Sequence, residues 1–136
     1  MGAFRLALRR FSAFSEAAAQ AAGLTAQQHQ ALLAIRAHEG PQPMSISELA
    51  ECLLIKNHSA VELVARLVAR GLVTRTPAEA DRRRIQLRLT REAEPVLAEI
   101  TRNNLAELNS TAPVFRDLLK TLQRIGRITD PDPGEG

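Results

Sequence analysis

Apolar residues recur every three or four positions through the first part of the chain, which is the spacing of one helix face. Within the first 24 residues this face is made of Phe4, Ala7, Leu8, Phe11, Ala18 and Ala22. Arg5, Arg9 and Gln20 lie opposite, so the stretch predicts an amphipathic helix. Arginines ahead of alanines also fit a targeting segment, but Ser12 and Glu16 interrupt the apolar core that such a segment needs.

A second helix is predicted from the pair Thr25 and Gln28. These residues have the spacing of a capping box, in which each side chain bonds the backbone N–H of the other. The helix continues through Leu32 and Ile35, and Gly40-Pro41 ends it.

Two short helices and a turn are predicted next. Ser47 is the expected N-cap of a third helix that begins at Glu48 and extends to about residue 53. A turn at residues 54–56 leads into a fourth helix at residues 57–70, which Gly71 closes as a C-terminal glycine.

After Gly71 the spacing of the apolar residues changes to every second position. Residues 72–76 predict one strand, and Ile85, Leu87 and Leu89 alternate with polar residues as in a half-buried strand. The polar residues 77–84 between the strands predict a hairpin with a charged tip.

The rest of the chain is again helical in pattern. One helix is expected to contain Pro95 in its first turns and to end near Asn109, and Pro113 opens a last helix. Residues 129–136 predict a disordered tail.

A helix, a turn, a second helix and a hairpin follow one another in the layout of a winged helix-turn-helix. The predicted fold class is therefore mainly α with a small antiparallel β-wing. We divide the chain into a terminal helix at 1–24, the winged unit at 25–94, terminal helices at 95–128 and the tail at 129–136.

Composition limits what the chain can do. Its 136 residues fit one globular domain, and no apolar run is long enough for a membrane helix. The one cysteine, Cys52, cannot form an intrachain disulfide, which favours a reducing, cytoplasmic setting. We interpret it as a buried, inert thiol, with a redox sensor as the alternative.

Catalytic and metal-binding patterns are missing from the sequence. We find no phosphate-binding glycine loop and no nucleophile elbow. His29, His38 and Cys52 lie on other predicted helices than His58, at no metal-ligand spacing. We therefore expect neither an enzyme nor a bound cofactor or metal.

Positive charge is concentrated in one quarter of the chain. Between Lys56 and Arg91 nine basic residues stand against three acidic ones, a net charge of +6, whereas the whole chain carries +3. The residues outside this segment therefore carry a net charge of −3. A basic stretch beside a helix-turn-helix favours nucleic acid as the partner over a merely solvated surface.

The fourth predicted helix divides into two faces. Its apolar arc, expected to be buried, comprises Ala60, Val61, Leu63, Val64, Leu67 and Val68. The opposite arc, expected to face DNA, comprises His58, Ser59, Glu62, Ala65, Arg66 and Ala69. Ala65 and Ala69 are small enough to let the helix approach the major groove closely.

Roles on this face follow from position and reach. Asn57, His58 and Ser59 begin the helix, where free backbone N–H groups attract phosphate and short side chains reach base edges. Lys56 and Arg66 are expected to contact phosphates. Glu62 fits either a contact to a cytosine amino group or an ordinary helix pair with Arg66.

The hairpin tip reads Asp81-Arg82-Arg83-Arg84. Arginine inserted into a narrow minor groove gains from its negative potential, and Asp81 can hold a guanidinium in place by a charge-assisted bond. A solvated turn with an incidental ion pair is the alternative.

These segments resemble the MarR family of winged helix-turn-helix transcriptional regulators. The resemblance rests on Leu63-Val64-Ala65-Arg66-Leu67, Arg70-Gly71-Leu72-Val73, Arg75, Asp81-Arg82-Arg83 and Leu89-Thr90. By this resemblance Asp81 and Arg83 match the wing pair of the family, and His58, Ser59 and Glu62 match its base-reading positions. Ala93 and Glu62 depart from the residues that are commonest there.

The resemblance implies a bacterial DNA-binding regulator, such as a repressor, that binds double-stranded DNA. It implies a homodimer held by the first and last helices, on a near-palindromic operator. Many relatives are released by a small molecule or an oxidant, so a small-molecule effector is a possible partner. A winged-helix interaction module that has lost operator binding is the alternative function.

Overall fold

A computed structural model of the chain describes residues 2–129, which form five helices and one two-stranded sheet. In chain order these are α1 (Gly2–Ala21), α2 (Ala26–Ala37), α3 (Ile46–Leu53), α4 (Asn57–Ala69), β1 (Val73–Pro77), β2 (Ile85–Leu89) and α5 (Ala93–Thr129). The predicted fold class is confirmed. Of the tail predicted at 129–136, Thr129 ends α5 and the rest lies outside the described residues.

Capping boxes begin α2 and α3. Thr25 Oγ1 accepts from the Gln28 N–H at 3.1 Å and the Thr25 N–H donates to Gln28 Oε1 at 3.0 Å, as predicted. The N-cap of α3 is Ser45 rather than Ser47, so that prediction was wrong by two residues. The reason is that Ser45 and Glu48 form a second box, with Ser45 Oγ accepting from the Glu48 N–H at 3.1 Å.

The core lies between the helix-turn-helix, the sheet and the first turns of α5. Its fully buried large side chains are Leu32, Val64, Leu49, Leu67, Val73, Leu87 and Ile100. They come from α2, α3, α4, both strands and α5, so α4 is held against the body of the molecule along its apolar arc. The burial of these side chains is the main favourable term that fixes α4.

The antiparallel hairpin runs in register from Val73 opposite Leu89 to Pro77 opposite Ile85. The connection before α3 adds a short third segment, because the Leu87 N–H donates to the Met44 carbonyl oxygen at 2.8 Å. Gln86, predicted on the polar side, is instead buried. It lies beneath that segment, where Gln86 Nε2 donates to Gln42 Oε1 at 3.4 Å.

The last two predicted helices are one helix, so the break expected near Pro113 was wrong. α5 extends from Ala93 to Thr129 with Pro113 inside it. Proline removes only one helical hydrogen bond, the one that Asn109 would accept. Asn109 and Pro113 are both exposed, which leaves the freed carbonyl group to water.

Contacts with α1 hold the two halves of α5 in line. Asn104 Nδ2 donates to Ser15 Oγ at 3.3 Å, and the rings of Phe4 and Phe115 meet edge to face at 5.4 Å between centroids. These contacts come in opposite order along the two helices, so α1 runs antiparallel to α5. In the part of the chain from Gly2 to Thr129, no helix combines the length and apolar character that a bilayer crossing requires.

Candidate nucleic-acid interface

The outward face of α4 is the first part of the site. His58, Glu62, Arg66 and Ala69 are exposed, and Ser59 and Ala65 are half-buried at its edges. The apolar arc is buried as predicted in Ala60, Leu63, Val64 and Leu67, with Val68 half-buried. Val61 departs from the prediction, because 44% of it is exposed beside the hairpin.

The N-terminus of α4 is open. Its N-cap is Lys56, whose side chain makes no capping hydrogen bond, whereas α2 and α3 both carry complete capping boxes. The N–H groups of the first turn of a helix lack helical partners, and together with the helix dipole they attract anions. Asn57, His58 and Ser59 therefore present backbone donors as well as polar side chains in the first turn of α4.

The wing loop, residues 78–84, is closed by backbone hydrogen bonds. The Ala78 N–H donates to the Arg84 carbonyl oxygen at 2.8 Å, and the Arg84 N–H donates to the Asp81 carbonyl oxygen at 3.0 Å. Asp81 Oδ1 accepts from the Arg83 N–H at 3.1 Å. Asp81 thus orders the loop backbone, whereas we expected it to hold a guanidinium group.

The three wing arginines divide into two kinds. Arg82 and Arg83 are exposed, and no ion pair of the described chain, residues 2–129, includes either. Arg84 differs, because its Nη2 contacts Glu48 Oε1 in the first turn of α3. The sequence grouped Arg84 with its neighbours, and only this contact between distant segments separates it from them.

Glu48 was not singled out from the sequence. Its partial burial raises its pKa, but hydrogen bonds from Ser45 and the nearby charges of Arg84 and His38 outweigh that effect, so the pKa lies below its ordinary value. The carboxylate therefore stays charged beside Arg84 at neutral pH. The Ser45-x-x-Glu48 spacing was the available signal for its capping role.

A groove joins the open end of α4 to the wing. Asn57 and Val61 of α4 line it together with Asp81, Arg83 and Arg84, and it encloses about 340 Å³. The exposure of Val61 follows from its position at this groove. The predicted helical face and the arginine-bearing loop are thus neighbours on the molecular surface.

Most charged side chains at this surface form no ion pair with another described residue. Glu62 and Arg66 are both exposed, and in residues 2–129 no ion pair joins them. The helix pair that we considered for Glu62 is therefore not formed, and its carboxylate lies free on the outward face. Lys56, Arg82 and Arg83 give the surrounding surface a positive charge.

Cys52 is exposed, so its interpretation as a buried thiol was wrong. It lies in the last turn of α3. The described part of the chain also contains no group of three His, Cys, Asp or Glu side chains that could hold a metal ion.

Fold and surface together define a winged helix-turn-helix protein. Residues 22–84 match the sequence profile of the MarR family. The resemblance inferred from the sequence motifs is thereby confirmed.

Individual relatives agree with this assignment. The chain is 26% identical over 107 residues to the HTH-type transcriptional regulator PecS of Dickeya dadantii, a match that covers 77% of this chain. The chain spans 64% of the length of PecS.

Solved structures show the same fold. Apo MarR from E. coli superposes with a TM-score of 0.71 at 20% identity, covering 94% of this chain and 93% of that one. The S. aureus MepR–DNA complex superposes with a TM-score of 0.66 at 20% identity, covering 90% and 97%.

Proposed function

We propose that this protein is a sequence-specific DNA-binding transcriptional regulator, acting as a repressor in the bacterial cytoplasm. The observation that carries the proposal is the groove where the open N-terminus of α4 meets Arg83 of the wing loop. Helix N-termini and arginines both bind phosphate, and a helix flanked by a basic loop fits a major groove and the minor groove beside it.

We assign each residue a role from its position. Ser59 and Glu62 are proposed to contact base edges, with Glu62 accepting from a cytosine amino group. Lys56, Asn57, His58 and Arg66 are proposed to contact phosphates or to flank those base contacts. Arg82 and Arg83 are proposed to enter the minor groove, while Asp81 orders the loop that carries them.

Dimerisation through α1 and α5 is the second part of the proposal. Large apolar side chains stay exposed on these helices, among them Leu6, Leu8, Leu105, Leu119 and Leu122. Exposed apolar surface of this kind favours an interface, and a two-fold partner would present two α4 helices to a near-palindromic operator.

Release by a small molecule is the third part. A cavity of about 370 Å³ lies between α1 and α2, lined by Phe11, Ser15, Glu16 and His29 among others. It adjoins both the proposed dimerisation helix and the winged unit, so a ligand there can favour one arrangement of the two α4 helices over another. Its lining of one aromatic ring and several polar groups suits a small polar effector.

Selection of bound fragments from a random duplex pool tests the proposal. We expect enrichment of a two-fold related motif whose half-sites lie about one helical turn apart, together with a dimer mass in light scattering. Binding without sequence preference, or no binding at low salt, would instead indicate an interaction module without an operator.

A further inference from the structure

Glu48 lies where three segments of the winged unit meet. Its Oε1 accepts from the Ser45 N–H at 3.3 Å and contacts Arg84 Nη2, while its Oε2 is 3.7 Å from Nε2 of His38 at the end of α2. One carboxylate therefore caps α3 and also reaches the wing.

Arg84 is the residue at which the wing loop joins β2. Its carbonyl oxygen accepts from the Ala78 N–H, and its own N–H donates to the Asp81 carbonyl oxygen. The backbone of Arg84 therefore bonds both the start and the middle of the loop. A constraint on the Arg84 side chain is consequently a constraint on the root of the loop that carries Arg82 and Arg83.

We propose that the contact between Glu48 and Arg84 is an internal brace that positions the wing for DNA. Both are positioning residues in this proposal: Arg84 binds Glu48 and does not bind a phosphate. The inference rests on the proposed function. The brace joins the first turn of α3 to the wing, and both segments line the groove that Asn57 also lines. It therefore sets the distance between Arg83 and the start of α4.

The alternative is that Arg84 turns outward and binds a phosphate itself. The two hypotheses predict opposite effects of Glu48 on the affinity for the operator. A brace makes Glu48 necessary for tight operator binding, whereas a phosphate-binding Arg84 is hindered by a neighbouring acid and would bind better without it. They also differ in salt dependence, because each phosphate contact contributes about 0.9 to the slope of log K against log salt concentration.

The test uses Glu48→Gln, Arg84→Gln and the double variant in the full chain. Glutamine at position 48 retains the capping box, since either Glu or Gln serves there, but it loses the charge. Arg84→Lys, which keeps a charge near Glu48, is the conservative control, and thermal unfolding checks that each variant is folded.

The brace predicts that each single variant weakens binding to the selected operator by about two- to fivefold, the equivalent of a partly exposed ion pair. The double variant should be no weaker than either single one, Arg84→Lys should retain most of the affinity, and the salt slope of Arg84→Gln should be unchanged. A slope lower by about 1.8 in Arg84→Gln, from one lost phosphate contact in each protomer of the dimer, would overturn the proposal. A Glu48→Gln variant that binds as well as the parent or better would also overturn it.

Amide hydrogen exchange in the free protein separates this inference from the proposed function. The brace predicts faster exchange at the Ala78 and Arg84 N–H groups in both glutamine variants, because the loop root is released. Unchanged exchange would contradict the brace even if DNA binds. Failure of the parent protein to bind DNA would remove the proposed function while this measurement still reports on the brace.

Discussion

The guanidinium group of Arg70, at the C-cap of α4, donates a hydrogen bond to the backbone carbonyl oxygen of Gly23, in the turn between α1 and α2. This contact links the proposed DNA-reading helix to the helix that we propose for dimerisation. Gly23 has φ of +81°, and a Cβ atom there would lie 3.0 Å from Arg70 Nη2. Both its conformation and its neighbour therefore favour glycine.

Gly23→Ala should lower the free energy of unfolding by more than the cost of the left-handed backbone alone, which is about 1–2 kcal/mol. The matched control is Gly71→Ala, because Gly71 has φ of +73° and a Cβ there would meet nothing within 4 Å. Urea unfolding measures both variants. Equal losses would show that the Arg70 contact adds nothing to stability.

Leu54 should be replaceable with a gain in stability. It occupies the turn between α3 and α4 with φ of +55°, yet its side chain is 91% exposed and packs little. Leu54→Asn and Leu54→Gly relieve the strain of the left-handed backbone with almost no loss of buried surface. We therefore expect the free energy of unfolding to increase by up to about 1 kcal/mol. A fall in the unfolding midpoint of both variants would show that Leu54 makes a contact that stabilises the turn.

Stability should depend on pH through His29. Burial lowers the pKa of His29 from its ordinary value of 6.5, so the folded protein holds the ring neutral. The unfolded chain binds this proton more readily, and stability therefore falls as the pH drops below about 6.5 towards the folded pKa.

His29→Gln should reduce the dependence of stability on pH below about pH 6.5. The unfolding midpoint of the parent should decrease between pH 7.5 and 5, and that of the variant should decrease less. His58→Gln, at an exposed position, is the control and should keep the slope of the parent. Parallel curves for the parent and His29→Gln would exclude His29 as the source.

Sequence preference should follow the outward face of α4. Ser59→Ala and Glu62→Gln should each change the motif selected from a random pool, because a lost base contact is worth about 1–3 kcal/mol of discrimination. Glu51→Gln, an exposed acid on α3, should select the motif of the parent. If the Ser59 and Glu62 variants also keep that motif, a different surface reads the bases.

Much of the fold was predictable from local patterns. The Thr25 capping box, the glycine at the end of α4 and the alternation in β2 are short-range signals that act on the backbone of their own segment. The family motifs gave the winged unit its identity for the same reason, since they lie within residues 63–90.

Other features depended on contacts between distant segments. Pro113 stays within a helix because α1 packs along both halves of α5, and Gln86 is buried because the segment before α3 lies over it. The pairing of Arg84 with Glu48 joins residues 36 positions apart. No periodicity along the sequence records such contacts, so the brace could not be predicted.

The salt dependence of operator binding tests the central claim most directly. Arg82→Ala/Arg83→Ala removes two exposed arginines from the wing, and Arg9→Ala/Arg10→Ala removes two exposed arginines from α1 with the same change in net charge. Light scattering first establishes that both variants keep the mass of the parent.

If α4 and the wing form the DNA-binding surface, the wing variant should bind more weakly. Because a dimer loses four wing arginines, its slope of log K against log salt concentration should be smaller by about 3.6. The α1 variant should keep the slope of the parent. Equal changes in the two variants, or an unchanged slope in the wing variant, would contradict the claim that this surface binds DNA.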